Sequence, residues 1–465
     1  MSCWCEFRRL LSIVALPLCL LGSAASVQSQ ALVSTSALRN IEKLSILSLR
    51  RRYYGSELEP LVALTALCPE TRISGSKAYV GQFASDGLQQ FARVDVPRTA
   101  PPPNGYPAVV FLHGWVGAAN APNWRFGCNK KYVYEPVIEA FANAGFVVLT
   151  PGYRGHGTVA GKVADGIEYL QRWDNGSYVI PNFYAVDVLN LISGVERTGH
   201  VLNLAGELIP VDPHRFFLKG HSQGGDVAMV ILAVASGPKK SPSVAAASVW
   251  AGTFADRVTQ ATYYNSMQSS AQAFLDGDGR WSGVARGQSG KINLAFQFGY
   301  PPLEINTPDP TRWTWQSQQW KLSVSDAYRV AVRKISDALA PKGFSGADYD
   351  FSIEDSPSGK IRIRKNAALG RAVAKLDGAV PAQIGLPLIL HFSDHDYYSP
   401  PQWNIRLCSE LAKRGSQCKA FLYPGNTHEL GVSSSTWFSP LGSRPGFDLM
   451  LIRDIEFYRK FPGAN

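Results

Sequence analysis

Residues 216–235, FFLKGHSQGGDVAMVILAVA, decide how the chain is read. An apolar run at Phe216–Leu218 breaks at Gly220, presents Ser222, and resumes from Gly224 as an apolar segment of helical length. Gly220-His221-Ser222-Gln223-Gly224 fits G-x-S-x-G, the sharp strand-to-helix turn that holds a serine strained and exposed. The glycines leave room for a tight backbone, and Gly225 adds slack where the helix meets its neighbour. The N–H of Gln223, at the helix start, can face a developing oxyanion. Serine also caps helices well, so the pentapeptide alone leaves two readings, nucleophile or cap. Its place after a strand and before a helix favours the nucleophile.

The flanking segments alternate. PAVVFLHG (107–114) reads as a buried strand, and YVYEPVIEAFANAG (132–145) as a helix stopped by Gly145. FVVLTPGYRGHG (146–157) is a strand running into a loop, FYAVDVLNLISGVE (183–196) a helix, and SVAAASVWAG (243–252) a strand. The pattern returns late, with LPLILHFSD (386–394), a helix over 400–415, the strand KAFLYPG (419–425) and a closing helix over 447–461. Continuously apolar strands alternating with helices predict a parallel sheet covered on both faces. Ahead of it, AYVGQFASDGLQQFARVDVP (78–97) reads as a hairpin turning at Asp86-Gly87, and RTAPPPNG (98–105) as a stiff connector. STSALRNIEKLSILSLRRRYYG (34–55) reads as an amphipathic helix whose arginines form a solvated end.

Between about Thr253 and Ala382 the alternation stops, over a stretch too long for a loop. It holds helix-like segments, a hairpin at YDFSIEDSPSGKIRIRK (349–365), and Trp281, Trp313, Trp315 and Trp320. An inserted cap subdomain is expected there.

A nucleophilic serine needs a base, and the base an orienting acid. Asp394 and Asp396 end the strand at LPLILHFSD, and His428 follows the next one in YPGNTHEL, giving the order Ser, Asp, His. The run Asp396-Tyr-Tyr-Ser-Pro400 favours Asp396 as the acid, with Asp394 the fallback. Of eight histidines, His428 alone occupies the loop after that last strand. His113, His156 and His221 read as loop-ordering residues, His391 as a core residue, and His200 and His214 as surface positions. Asp226, one turn into the helix, reads as a surface charge favoured by the helix dipole. The second oxyanion donor is expected from the loop after VVFLHG, at the N–H of Trp115.

The start of the chain has the layout of a secretory signal: Arg8 and Arg9, the apolar LSIVALPLCLLG (11–22), and small residues for cleavage near Ala25 or Ala31. Its apolar core is too short to span a bilayer. Cleavage leaves Cys68, Cys128, Cys408 and Cys418, an even set that favours two disulfides outside the cytoplasm. Of three connectivities, Cys408–Cys418 with Cys68–Cys128 is favoured because a short loop closes the first. The formal charge of +10 is scattered, with no nucleic-acid motif, and concerns solubility or anionic surroundings. No Cys/His cluster suggests a metal, and no cofactor is called for.

At VVFLHGW, GFVVLTPGYRGHG, VDPHRFFLKGHSQGG, SDHDYYSPPQ and YPGNTHEL the chain resembles the α/β-hydrolase superfamily. Within it, the resemblance is to the prolyl-oligopeptidase-like catalytic domain and related secreted esterases. It covers most of residues 105–254 and 383–465. It implies an α/β-hydrolase fold and a Ser222, Asp396, His428 triad, with backbone oxyanion donors at Trp115 and Gln223. Two departures stand out. Too little chain precedes the hydrolase for a β-propeller, and a large cap separates the serine from the aspartate. The expected organisation is a signal at 1–25, an N-terminal extension at 26–75, the first part of the core at 76–252, the cap at 253–382 and the rest of the core at 383–465. The expected function is an exported serine esterase acting on a small-molecule or polymeric ester, with no nucleic-acid partner and no membrane span. A peptidase using the same triad and a catalytically silent binding protein are the alternatives. The oligomeric state is not legible.

Overall fold

The computed structural model of the chain describes residues 41–71, 75–128, 134–172, 180–238, 242–255, 260, 351–355, 361–365, 374–393, 396, 399, 401–423, 428–430 and 445–461. The expected signal at 1–25, Asp394 and most of the expected cap at 253–382 lie outside them.

A ten-stranded mixed sheet forms the centre of the described residues. Its strands are β1 (Glu59–Ala63), β2 (Ser76–Ser85), β3 (Leu88–Pro97), β4 (Tyr106–Leu112), β5 (Val147–Pro151), β6 (His200–Leu202), β7 (Leu208–His221), β8 (Ala246–Trp250), β9 (Leu388–Ser393) and β10 (Cys418–Tyr423). The spatial order is β1-β2-β3-β5-β4-β7-β8-β9-β10, with β6 paired to the start of β7. The pairs β1–β2, β2–β3 and β3–β5 are antiparallel. From β5 to β10 the sheet is parallel. The predicted hairpin forms β2 and β3, with Asp86 (φ 55°) and Gly87 (φ 78°) both in the left-handed region that a two-residue turn demands.

The helices that flank the sheet include α1 (Ile46–Arg51), α2 (Tyr134–Asn143), α3 (Ile180–Thr198), α4 (Gln223–Ala235), α5 (Pro401–Lys413) and α6 (Pro445–Arg459). Val109, Phe111, Phe217 and Trp250 share one buried cluster with Phe141 of α2 and Met450 and Tyr458 of α6. The period of two along a strand turns Val110 and Leu218 to the other face, where α3 and α4 pack together against the sheet. Both faces are therefore covered, which is why the parallel strands read as unbroken apolar runs.

Asp226 is buried, and Gln260 donates to its Oδ2. This corrects the surface reading: α4 is buried along its whole length, and a helix apolar all round belongs inside. The arginine run is likewise more than a solvated end, because Arg50 donates to the carbonyls of Ala233 and Gln383 and clamps α1 onto the core. Of the expected cap, the hairpin appears as paired strands Phe351–Asp355 and Ile361–Lys365. Leu376 and Asp377 are buried, and the Asn182 side chain donates to the carbonyls of Leu376 and Leu44. Cys68 is bonded to Cys128 and Cys408 to Cys418. Among the described residues no helix is long and apolar enough to cross a membrane.

Candidate active site

Ser222 stands between β7 and α4 with φ 54° and ψ −122°, a conformation L-residues avoid. Its N–H donates to the Trp250 carbonyl, and its own carbonyl accepts from Gly225. The hydroxyl makes no capping hydrogen bond to α4. The side chain is half-buried. A cap residue would have extended backbone and a hydroxyl turned to the helix N–H groups, so the geometry is that of a strained elbow. The elbow is tight because a Cβ on Gly224 would lie 2.1 Å from the Leu112 carbonyl oxygen. Only glycine lets α4 start this close to the end of β4.

Parallel strands deliver the other groups to the same edge, past the ends of β9 and β10. Nδ1 of His428 lies 2.9 Å from both carboxylate oxygens of Asp396. Asp396 also accepts the Ser399 N–H at 2.8 Å, which fixes the acid loop. Both side chains are buried. Burial pushes His428 down, but the Asp396 charge, its hydrogen bond and the Glu429 charge together outweigh that, and the imidazole is raised above its ordinary value. With Nδ1–H donated to Asp396, the neutral ring carries its lone pair on Nε2, the tautomer a general base requires. The His428 ring lies 4.9 Å from the His221 ring, next in sequence to Ser222.

The loop after β4 closes the third side. A Cβ on Gly114 would come within 3.2 Å of the Ser222 Cβ, so the His113-Gly114-Trp115 segment runs directly against the elbow. Trp115 is 59 % exposed. Gln223 opens α4 and is buried. His113 is stacked between Trp124 and Tyr153, with ring centroids at 4.1 and 4.2 Å. Burial, with His156 nearby, holds His113 well below the ordinary imidazole value. His391 is in the core as expected, and His214 is exposed.

One participant was not legible in the sequence. Tyr134, at the start of α2, reaches across to accept the Gly114 N–H at 3.0 Å and contacts Nδ1 of His221 at 2.8 Å. YVYEPVIEAF carries Tyr132 and Tyr134 two residues apart, and nothing in the spacing says that Tyr134 meets the elbow. Among the described residues no group of three or more His, Cys, Asp or Glu side chains is arranged to hold a metal ion.

No protein-family model and no curated protein matches the sequence. Solved structures do. A puromycin-hydrolyzing peptidase of Mycobacterium tuberculosis is 15% identical over 84% of this chain and 40% of its own, with a TM-score of 0.43. A thermostable esterase of Pseudomonas putida is 12% identical over 86% of this chain and 89% of its own, at 0.44. An acylaminoacyl peptidase of Pyrococcus horikoshii is 13% identical over 86% of this chain and 44% of its own, at 0.44. The chain thus spans less than half the length of either peptidase. Its own strand order, with parallel crossovers, a serine elbow between the central strand β7 and α4, and His428 and Asp396 at the same sheet edge, is that of the α/β-hydrolase fold.

Proposed function

We propose that the chain is an exported serine hydrolase that cleaves carboxylic esters through an acyl-enzyme. The observation that carries this reading is the two-oxygen contact of Asp396 with His428 Nδ1 at 2.9 Å, at the edge where the strained Ser222 stands. In acylation, the Ser222 oxygen attacks the ester carbonyl while its proton passes to His428 Nε2. The N–H groups of Trp115 and Gln223 receive the oxyanion. The tetrahedral intermediate collapses, the C–O bond breaks, and the imidazolium returns the proton to the departing alkoxide. Water then enters, gives its proton to His428, and attacks the acyl carbonyl. On collapse the bond to the Ser222 oxygen breaks, the imidazolium returns its proton to that oxygen, and the carboxylic acid leaves. Asp396 holds the imidazole tautomer throughout. The chemistry needs no metal or organic cofactor, because activation comes from the imidazole.

Export rests on the signal-like start and on the two disulfides, bonds that persist outside the cytoplasm. Ester preference is tested by turnover of p-nitrophenyl acetate and butyrate beside aminoacyl p-nitroanilides. Ester turnover that Ser222→Ala abolishes, without anilide cleavage, is the expected result. Anilide turnover of similar efficiency would make the chain a peptidase. Absence of both in folded protein would make it a silent binding fold.

A further inference from the structure

The contacts around Tyr134 join three loops that the chemistry has to keep in register. Gly114, in the loop that would offer the Trp115 N–H, donates its own N–H to the Tyr134 hydroxyl at 3.0 Å. The same hydroxyl lies 2.8 Å from His221 Nδ1, one residue before Ser222. On its far side, His221 Nε2 lies 3.8 Å from Oε1 of Glu429, the residue after His428. The His221 ring is stacked on Trp250 at 4.2 Å and cannot swing away. There is no slack where these loops meet: a Cβ on Gly114 would sit 2.8 Å from the Tyr134 oxygen and 3.1 Å from His221 Nδ1.

A phenol has one proton to give. The Glu429 carboxylate faces Nε2, which favours the imidazole proton there and leaves Nδ1 to accept the phenol proton. The imidazole is then neutral, with its own proton on Nε2, toward Glu429. Burial, with His428 and Lys219 close by, keeps this ring from charging.

We propose that Tyr134 and His221 are a positioning couple for the oxyanion loop: the phenol fixes the Gly114 peptide against the elbow, and so sets where the next N–H, that of Trp115, stands relative to Ser222. Neither side chain touches the reacting atoms. Both act through the backbone of the loop, and the inference rests on the hydrolase reading above. Interactions realised in the transition state lower kcat when lost, whereas ground-state binding changes KM. Deleting an oxyanion donor outright costs roughly 100- to 1,000-fold in kcat; misplacing one costs less.

Tyr134→Phe keeps the ring and removes the hydroxyl. With p-nitrophenyl butyrate, kcat per active site titrated with a fluorophosphonate should fall about 10- to 100-fold, with KM within about twofold of wild type. Counting sites with the titrant removes any loss of folded protein from the comparison. His221→Gln keeps an acceptor for the phenol and should retain about tenfold more kcat than His221→Leu. Wild-type kcat per titrated site in Tyr134→Phe overturns the proposal. Should Tyr134→Phe not fold, equal kcat for His221→Gln and His221→Leu overturns it instead. Wild-type protein that neither turns over ester nor takes the probe defeats the hydrolase reading itself, and the couple with it. An active wild type matched by Tyr134→Phe defeats the couple alone.

Discussion

At Ser222 the backbone carries the cost of presenting the hydroxyl. A residue held at φ 54° and ψ −122° lies where glycine goes freely and other residues do not. Ser222→Gly should therefore be inactive and yet more stable than wild type by about 1 kcal/mol, the released strain exceeding glycine's extra unfolded-state entropy. Urea melts of the two proteins check it, and a less stable glycine variant would remove strain from the account. His428 gives a second test at this scale. Its imidazole is raised, so it stays protonated above the ordinary imidazole pH of about 6.5, and a protonated base cannot accept the Ser222 proton. Ester turnover should rise with pH, with its half-maximum on the alkaline side of that value. Asp396→Asn removes the charge that raises the ring and should move the half-maximum toward acid while lowering kcat. The Ser222 turn and the meeting of His428 with Asp396 were legible from the sequence, because each sits at a fixed offset from a strand end. Tyr134 was not, because its role comes from how α2 packs across the elbow, which no local pattern encodes.

Among the elements, β7 and α6 are joined by a buried polar cluster that catalysis does not use. Lys219 on β7 lies 2.5 Å from Asp454 on α6, and both are fully buried. Ser248 of β8 accepts from Lys219 at 3.1 Å, and His391 of β9 contacts Asp454 at 2.9 Å. Burial opposes the Asp454 charge, but Lys219 and His391 outweigh it and hold the carboxyl below its ordinary range. Removing one partner strands the other. Lys219→Met should cost about 3–5 kcal/mol, and the double variant Lys219→Met, Asp454→Leu substantially less. Chemical denaturation of the three proteins measures this, and equal losses in single and double variants would mean that the ion pair is not the source. This cluster explains why FFLKGH reads as a strand despite a central lysine: the charge is neutralised from the opposite helix. β1 escaped the sequence reading for a different reason. EPLVA is short and carries Pro60, which argues against a central strand, yet β1 is an edge strand, where proline is tolerated. The start of β7, LIPVDPH, was hidden by two prolines and is a hairpin arm against β6.

At the scale of the whole molecule, two cross-links close very different lengths of chain. Cys68–Cys128 spans 60 residues and Cys408–Cys418 spans 10. On the loop-closure account, removing the first by paired Cys→Ala changes should cost about 1.5 kcal/mol more than removing the second. Equal losses in equilibrium melts would contradict it. The alternating apolar strands and helices made the fold legible, since that period has one economical packing, a parallel sheet covered twice. The segment 253–382 has no such period. The hairpin expected at 349–365 is present as strands Phe351–Asp355 and Ile361–Lys365, while most of the remainder lies outside the described residues. All of this architecture serves one claim, that Ser222 is a nucleophile activated by His428. Labelling of the full-length wild-type chain with a fluorophosphonate, followed by mass analysis of the peptide that carries GHSQGG, tests it most directly. One adduct on Ser222, formed faster as pH rises, is expected, and none in Ser222→Ala. A folded wild-type chain that takes no label, or a Ser222→Ala chain that labels equally, would contradict it.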